Sequence, residues 1–280
     1  MKKTARLLKG KEIAEDLIGG LSRPIEGIRK SGAPLCLAML QAGAPRDVVL
    51  YAKSLGALLN RLHVEQISRV FPEGVSEETL LDEIEALNAD ENVTGIMVFS
   101  PLPASLNAVS VLNAIHFLKD VEGRRVQRGV NGRILSPTAS AVLALIEKTG
   151  CEIAGKEAVV IGHSDLVGKP AAILLLDRMA TVTVCHLGTR SLREHVSRAD
   201  IVVAAAGKAC LVKGDWIKEG AIVIDVGENH VAGELVGDVE FEAACERASF
   251  ISPVPGGVGP LTNVMLVRNL LRLHELQRAT

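Results

Sequence analysis

The chain has 280 residues, of which 48% are hydrophobic and 2% aromatic, and its net charge is −2. That length holds two modest domains with proper cores, while the balanced charge and the scarcity of stacking rings argue against a nucleic-acid partner. The basic N-terminus is followed by no apolar leader core and no apolar run reaches membrane-spanning length, so neither export nor a membrane partner is expected.

In chain order, Ile13, Leu17, Ile18 and Leu21 recur at helical spacing up to Pro24, and residues 34–40 form a short apolar run typical of a buried strand. A helix is predicted over 47–62, a strand over 64–70, a helix to residue 87 capped by Ser76, and a strand over 94–99 that ends at the Ser-Pro-Leu-Pro turn. This repeated strand and helix unit predicts a parallel sheet. After Lys119 the chain loops to Ser136-Pro-Thr138, and a helix over 139–148 leads into a second alternating series with strands at 158–162, 181–185, 201–206, 221–226 and 250–251. A closing helix over 262–276 carries Val264, Leu266, Val267, Leu270, Leu271 and Leu273. The five cysteines, Cys36, Cys151, Cys185, Cys210 and Cys245, lack Cys-x-x-Cys spacing, so they are expected to be buried thiols of a cytoplasmic protein with no metal site.

Residues 158–170 read Ala-Val-Val-Ile-Gly-His-Ser-Asp-Leu-Val-Gly-Lys-Pro, which is a strand, a glycine turn and a helix beginning near Pro170. That order puts free backbone N–H groups and the positive end of a helix dipole where a dinucleotide phosphate would sit. Gly162, His163, Ser164, Val167 and Gly168 are the candidate cofactor contacts. Gly162 and Gly168 do not complete Gly-x-Gly-x-x-Gly. The P-loop likeness of 162–169 fails on its intervening spacing and on Pro170, where Ser or Thr is required, which argues against ATP or GTP. The end of the second strand reads His186-Leu-Gly-Thr-Arg190, without the carboxylate that would hold a ribose 2′-hydroxyl. Arg190 and His163, at the ends of neighbouring strands, suit a 2′-phosphate instead. NADP is therefore the expected cofactor with NAD as the alternative, and a solvated charge at a helix start is the competing reading of Arg190.

Residues 253–260 read Pro-Val-Pro-Gly-Gly-Val-Gly-Pro, followed by Leu261 and Thr262. Three prolines and three glycines permit neither a helix nor a central strand, so the stretch is a shaped loop. Together with Gly162-His-Ser-Asp-Leu-Val-Gly-Lys-Pro170, it closely resembles the signatures of the bifunctional methylenetetrahydrofolate dehydrogenase/cyclohydrolase family. Pro101-Leu-Pro103, Lys119-Asp120-Val-Glu-Gly123, Ala180-Thr-Val-Thr-Val-Cys-His186 and the run over 214–227 extend the likeness along nearly the whole chain.

The resemblance implies two parallel-sheet α/β domains with a cleft between them. Residues 1–118 plus 262–280 would form the folate domain and 119–261 a Rossmann-like NAD(P)-binding domain. It implies substrate contacts at Tyr51, Asp120, Pro255, Gly256 and Gly257, against the reading of a retained scaffold in which Asp120 merely caps a turn, and a nicotinamide-side position at Glu228, where the family has an apolar residue and an outward-pointing carboxylate is the competing reading. It also implies a homodimer through the cofactor domains, for which residues 180–184 and 201–206 are candidates.

Several positions depart from the family pattern. His163 stands for Arg and Leu187 for Ser, which removes phosphate donors. The family's Tyr-x-x-x-Lys pair is not recovered: aligned on Pro45, its two positions fall on Leu50 and Ser54, and aligned on Tyr51 the lysine position is Leu55. Tyr51 and Lys53 lie about 200° apart around a helix. Lys53 is carried as the candidate catalytic lysine, displaced from the family position, against the reading of a solvated surface lysine. Phe99 replaces a Gln and offers no hydrogen-bonding group. Arg124, Arg125 and Arg128 add charge where the family is mostly apolar.

Hydride loss from a methylene carbon flanked by two nitrogens needs aligned rings but no protein acid or base. Hydrolysis of the resulting methenyl cation needs activated water and proton transfers, and a positioned acid or base contributes ~10²–10⁴ to such steps. The expected activity is NADP-dependent oxidation of 5,10-methylenetetrahydrofolate to 5,10-methenyltetrahydrofolate, with the cyclohydrolase weak or lost. The alternatives are a dinucleotide-dependent oxidoreductase on another substrate, or a non-catalytic binding paralogue.

Overall fold

The structure, a computed structural model, describes residues 4–124 and 134–279. The first part of the chain runs β1 (Arg6–Leu7), α1 (Gly10–Ser31), β2 (Cys36–Ala42), α2 (Arg46–Arg61), β3 (Glu65–Phe71), α3 (Glu77–Ala89), β4 (Gly95–Val98) and α4 (Ala108–Ala114). After α5 (Pro137–Lys148) come β5 (Glu157–Ile161), α6 (Gly168–Asp177), β6 (Thr181–Cys185), α7 (Leu192–Arg198), β7 (Ile201–Ala204) and β8 (Ile222–Asp225). The chain closes with β9 (Asn229–Val231), β10 (Glu234–Val236), α8 (Phe241–Cys245), β11 (Phe250–Ile251) and α9 (Gly259–Ala279).

Two compact units result, one from residues 18–135 and 266–280, the other from 1–17 and 136–265. This differs from the division drawn from sequence, 1–118 plus 262–280 against 119–261. The first residues group with the second unit because β1 pairs in parallel with β11, Arg6 opposite Phe250. Two of the three boundaries fall inside α1 and α9, where no loop signals them, and the third falls just before α5.

The first unit is built on a parallel sheet of order β3-β2-β4. Every residue of β2 is buried, as expected of a central parallel strand covered on both faces. Leu40, Ile96 and Val98 pack with Leu80 and Ile84 of α3 and with Val111 and Ile115. Ser76 caps α3 as predicted, its Oγ accepting the Thr79 N–H at 3.1 Å. At the other end of α3, buried Lys119 donates to the carbonyls of Leu87 (2.9 Å) and Asp90 (2.6 Å). Burial lowers its pKa below the usual lysine range.

The second unit carries a parallel sheet of order β1-β11-β8-β7-β5-β6, plus the antiparallel hairpin β9–β10. The order reverses on either side of β5, and such a switch point is where open α/β sheets bind ligands at their carboxyl ends. β7 lies between β5 and β8 and is buried throughout. Of the two stretches expected to serve a dimer edge, 201–206 therefore cannot, whereas β6 is an edge strand.

Two further expectations change. Pro24 does not end the first helix: it sits on the exposed face of α1, and Ile25 beyond it is 3% exposed, so the buried face continues across the proline. Nor are the cysteines uniformly buried, since Cys151 is half-buried and Cys210 exposed, although all five are unpaired thiols.

Candidate functional site

In the second unit the turn after β5 is set by two glycines. Gly162 has φ +110°, and a Cβ there would lie 2.0 Å from the Ala205 carbonyl oxygen. On Gly168 a Cβ would lie 2.2 Å from the carbonyl oxygen of Gly162. Only glycine lets the strand, the turn and the helix approach this closely. α6 begins at Gly168, two residues before Pro170 and so near the expected place, with Val167 at its N-cap position. Its leading N–H groups are not all free as expected: Ser164 Oγ accepts from Val167 (3.2 Å) and Gly168 (3.4 Å), and the Ser164 carbonyl accepts from Lys169. Ser164 thus shapes the turn more than it presents a free hydroxyl.

His163 and His186 follow β5 and β6, both exposed, with ring centroids 5.4 Å apart. Arg190 is exposed and makes no hydrogen bond or ion pair among the described residues. Asp165 pairs with Lys169 at 2.6 Å, a contact that holds its carboxyl below the usual range.

Two buried aspartates, which the sequence reading did not single out, organise the neighbouring loops. Asp238 Oδ2 accepts the N–H groups of Ala206 (2.6 Å) and Gly207 (2.9 Å), and Oδ1 accepts from Lys208 (2.8 Å) and the Asn229 side chain (2.9 Å). Asp225 accepts from Gly227, Asp238 and Val239. Burial nevertheless pushes its pKa up to about 6, against those three donors. The signal available in sequence was the glycine beside each carboxylate: a Cβ on Gly227 would lie 2.2 Å from Asp238 Oδ1, and one on Gly237 1.9 Å from Asp225 Oδ2.

The Pro-Gly loop lies between the starts of α1 and α9. Gly10 donates its N–H to the Gly256 carbonyl at 2.8 Å, and a Cβ on Gly10 would overlap the carbonyl oxygen of Gly257. Pro255 and Gly256 are exposed. Gly256, at φ +104°, has nothing within 4 Å of its Cβ position, which leaves its backbone face open. Glu228 is exposed with Oε1 3.5 Å from the Cβ position of Gly259. Its side chain therefore turns towards this loop.

In the first unit, Asp120 is 4% exposed and its carboxylate accepts the N–H groups of Glu122 (3.1 Å) and Arg124 (2.8 Å), closing a turn. Glu122 and Arg124 form a 2.7 Å ion pair, and burial still raises the Glu122 pKa. Arg125 and Arg128 lie outside the described residues. Tyr51 meets Phe99 edge-on, centroids 5.7 Å apart at 86°, and Phe99 is 3% exposed. Lys53 is on the exposed side of α2 and makes no hydrogen bond or ion pair among the described residues. The structure does not bring it together with Tyr51. Leu50 and Ser54, one helical turn apart, are exposed as well.

A model of the tetrahydrofolate dehydrogenase/cyclohydrolase catalytic domain matches residues 8–122, and one of the NAD(P)-binding domain of the same family matches residues 136–278. "Bifunctional protein FolD 2" of Geobacter sulfurreducens is 45% identical over 278 residues, covering 97% of this chain and 98% of the relative. The FolD methylenetetrahydrofolate dehydrogenase/cyclohydrolase structure from Campylobacter jejuni superposes with a TM-score of 0.93 at 34% identity, covering 98% of this chain and 99% of that one. The Trypanosoma brucei FolD structure, complexed with NADP cofactor and inhibitor, gives 0.93 at 35% identity, covering 99% of each.

Proposed function

The chain belongs to the tetrahydrofolate dehydrogenase/cyclohydrolase family, and from that premise we propose that it oxidises 5,10-methylenetetrahydrofolate to 5,10-methenyltetrahydrofolate with NADP. The observation that carries this reading is the Gly162 turn at the sheet's switch point, continuous with a family match over both units. When bound, the dinucleotide supplies the hydride acceptor. The chain's part is to hold and align. Gly162, His163, Ser164, Val167, Gly168 and Arg190 are assigned to the dinucleotide, and the open face at Gly256, with Pro255 and Gly257, to ring positioning. Glu228 favours a positively charged ring beside the loop, and Asp120 and Tyr51 are assigned to the folate. No protein acid or base is needed for the hydride step.

The cyclohydrolase half is expected to be weak or lost. Tyr51 is engaged with the apolar ring of Phe99, and Lys53 faces away, so no amine and amide are positioned to activate water. Lys53 is read as a solvated surface lysine. Purified protein given NADP⁺ and methylenetetrahydrofolate tests both halves at once. The proposal expects reduction with methenyl product accumulating; absence of reduction refutes the dehydrogenase, and immediate hydrolysis of the methenyl product refutes the loss.

Among the described residues no helix is long and apolar enough to cross a membrane. Five unpaired thiols support a reducing, cytoplasmic setting. A homodimer through the edge strand β6 is the assembly proposed, and sedimentation velocity tests it.

A further inference from the structure

We propose that Ser136 is a positioning residue for the dinucleotide turn: its hydroxyl, reaching from the start of α5, holds the carbonyl of Leu166 and so keeps the segment from Gly162 to Gly168 in the form that receives the cofactor. This rests on the dehydrogenase reading above and adds to it a residue that touches no ligand. Ser136 and the turn belong to the same unit. The turn is short of donors. Val167 and Gly168 give their N–H groups to Ser164 Oγ, Lys169 gives its own to the Ser164 carbonyl, and Ala171 pairs with the Val167 carbonyl. The remaining position in the first turn of α6 is Pro170, which has no N–H to give. None of these groups is left for the Leu166 carbonyl, and its donor comes from another element, Ser136 Oγ.

The same oxygen accepts the Ala139 N–H at 3.3 Å and caps α5. A hydroxyl serves both bonds because it donates and accepts at once. Ser136 is 5% exposed, so bulk water has little access to replace it. The element that carries it is firmly held, with Ala139, Ala141, Val142, Leu145 and Ile146 of α5 all buried. At the other end of the bond, Leu166 precedes Val167, at the N-cap position of α6, and Gly168, which touches the Gly162 carbonyl too closely for any Cβ. Movement of Leu166 therefore displaces the two glycines that shape the turn. Without the hydroxyl, the Leu166 carbonyl must swing towards water for a donor, and its neighbours follow. Binding then has to draw the turn back, and affinity falls by the fraction of molecules that still hold the competent form.

The test titrates NADP⁺ and NAD⁺ into the unaltered protein and into Ser136→Ala by calorimetry. Both dinucleotides use the turn, so both are expected to bind about tenfold more weakly to the variant, the size of one hydrogen bond. The KM for NADP⁺ should rise to match, with dehydrogenase kcat within about twofold. Ser136→Thr keeps donor and acceptor, and its affinities are expected to return to those of the unaltered protein. Glycine serves an N-cap nearly as well as serine, so Ser136→Gly deletes the hydroxyl with α5 kept in place and reads the same expectation where the alanine variant is too unstable to titrate. Amide hydrogen exchange in the unliganded protein separates the turn from the cap. Loss of the hydroxyl should speed exchange at Val167, Gly168 and Lys169, whereas a lost cap speeds it only in the first turn of α5. Unchanged affinities in the variants, or faster exchange confined to α5, overturn the inference and leave the dehydrogenase standing. Failure of the unaltered protein to bind either dinucleotide overturns the dehydrogenase reading itself, and this one with it.

Discussion

Asp225 Oδ1 accepts the backbone N–H of Asp238 at 2.9 Å, so the carboxylate that ends β8 fixes the residue whose own carboxylate gathers the loop after β7. The loops at the carboxyl ends of two central strands are thereby held by two side chains rather than by strand pairing. Neither aspartate needs to touch a ligand for the site to depend on it.

Asp238→Ala leaves three backbone N–H groups and one side-chain amide without their acceptor. The expected loss is about 2–4 kcal/mol in urea unfolding, together with at least tenfold weaker NADP⁺ binding. Unchanged affinity in a destabilised variant would confine Asp238 to folding.

Asp225 titrates in the opposite sense to most carboxylates. Because its folded pKa is raised to about 6, its contribution to stability is fully present below about pH 4 and is lost as pH rises through about 6. The stability advantage of the unaltered protein over Asp225→Asn should be largest near pH 4.5 and narrow towards pH 7.5. Denaturant unfolding at both values measures it, and an advantage that widens with pH would contradict the burial argument.

Gly162→Ala adds a Cβ 2.0 Å from a backbone oxygen at a residue with φ +110°. The strain cannot be relieved by a side chain moving aside, so the turn must shift. Dinucleotide binding is expected to fall below detection in calorimetry, with a lower Tm.

Lys119→Met keeps the apolar stem and removes the ammonium that satisfies two carbonyls at the end of α3. A loss of about 2–3 kcal/mol is expected, with dehydrogenase kcat retained. A neutral effect on stability would mean that water replaces the ammonium there.

Restoring polar groups to the folate-side positions should bring hydrolysis back. In a Leu50→Tyr/Ser54→Lys/Phe99→Gln variant, methenyl hydrolysis is expected to rise by about 10²-fold. Lys53→Met should leave both rates within about twofold. Stopped-flow decay of the methenyl absorbance reads both variants.

The strands were legible because parallel strands buried on both faces are short apolar runs, and β2, β5, β7 and β8 fall within a few residues of their predicted places. β1 was not, since Arg6 and Leu7 are exposed and carry no alternation; only their pairing with β11 defines them. The Gly162 turn was readable from composition, because glycine is demanded there by sterics. The roles of Asp225 and Asp238 were hidden, because the donors to Asp238 lie some thirty positions away at Ala206, Gly207 and Lys208, and periodicity is blind to such distant contacts.

Each unit is assembled from two segments far apart in the chain, and this bears on synthesis. Arg6 and Leu7 wait for Phe250 and Ile251 before β1 can pair, and residues 18–135 wait for 266–280. A nascent chain leaving the ribosome would therefore hold the β2–β3–β4 sheet without its 266–280 segment until the whole second unit has been translated, and the habit of finishing one domain before starting the next is closed to it.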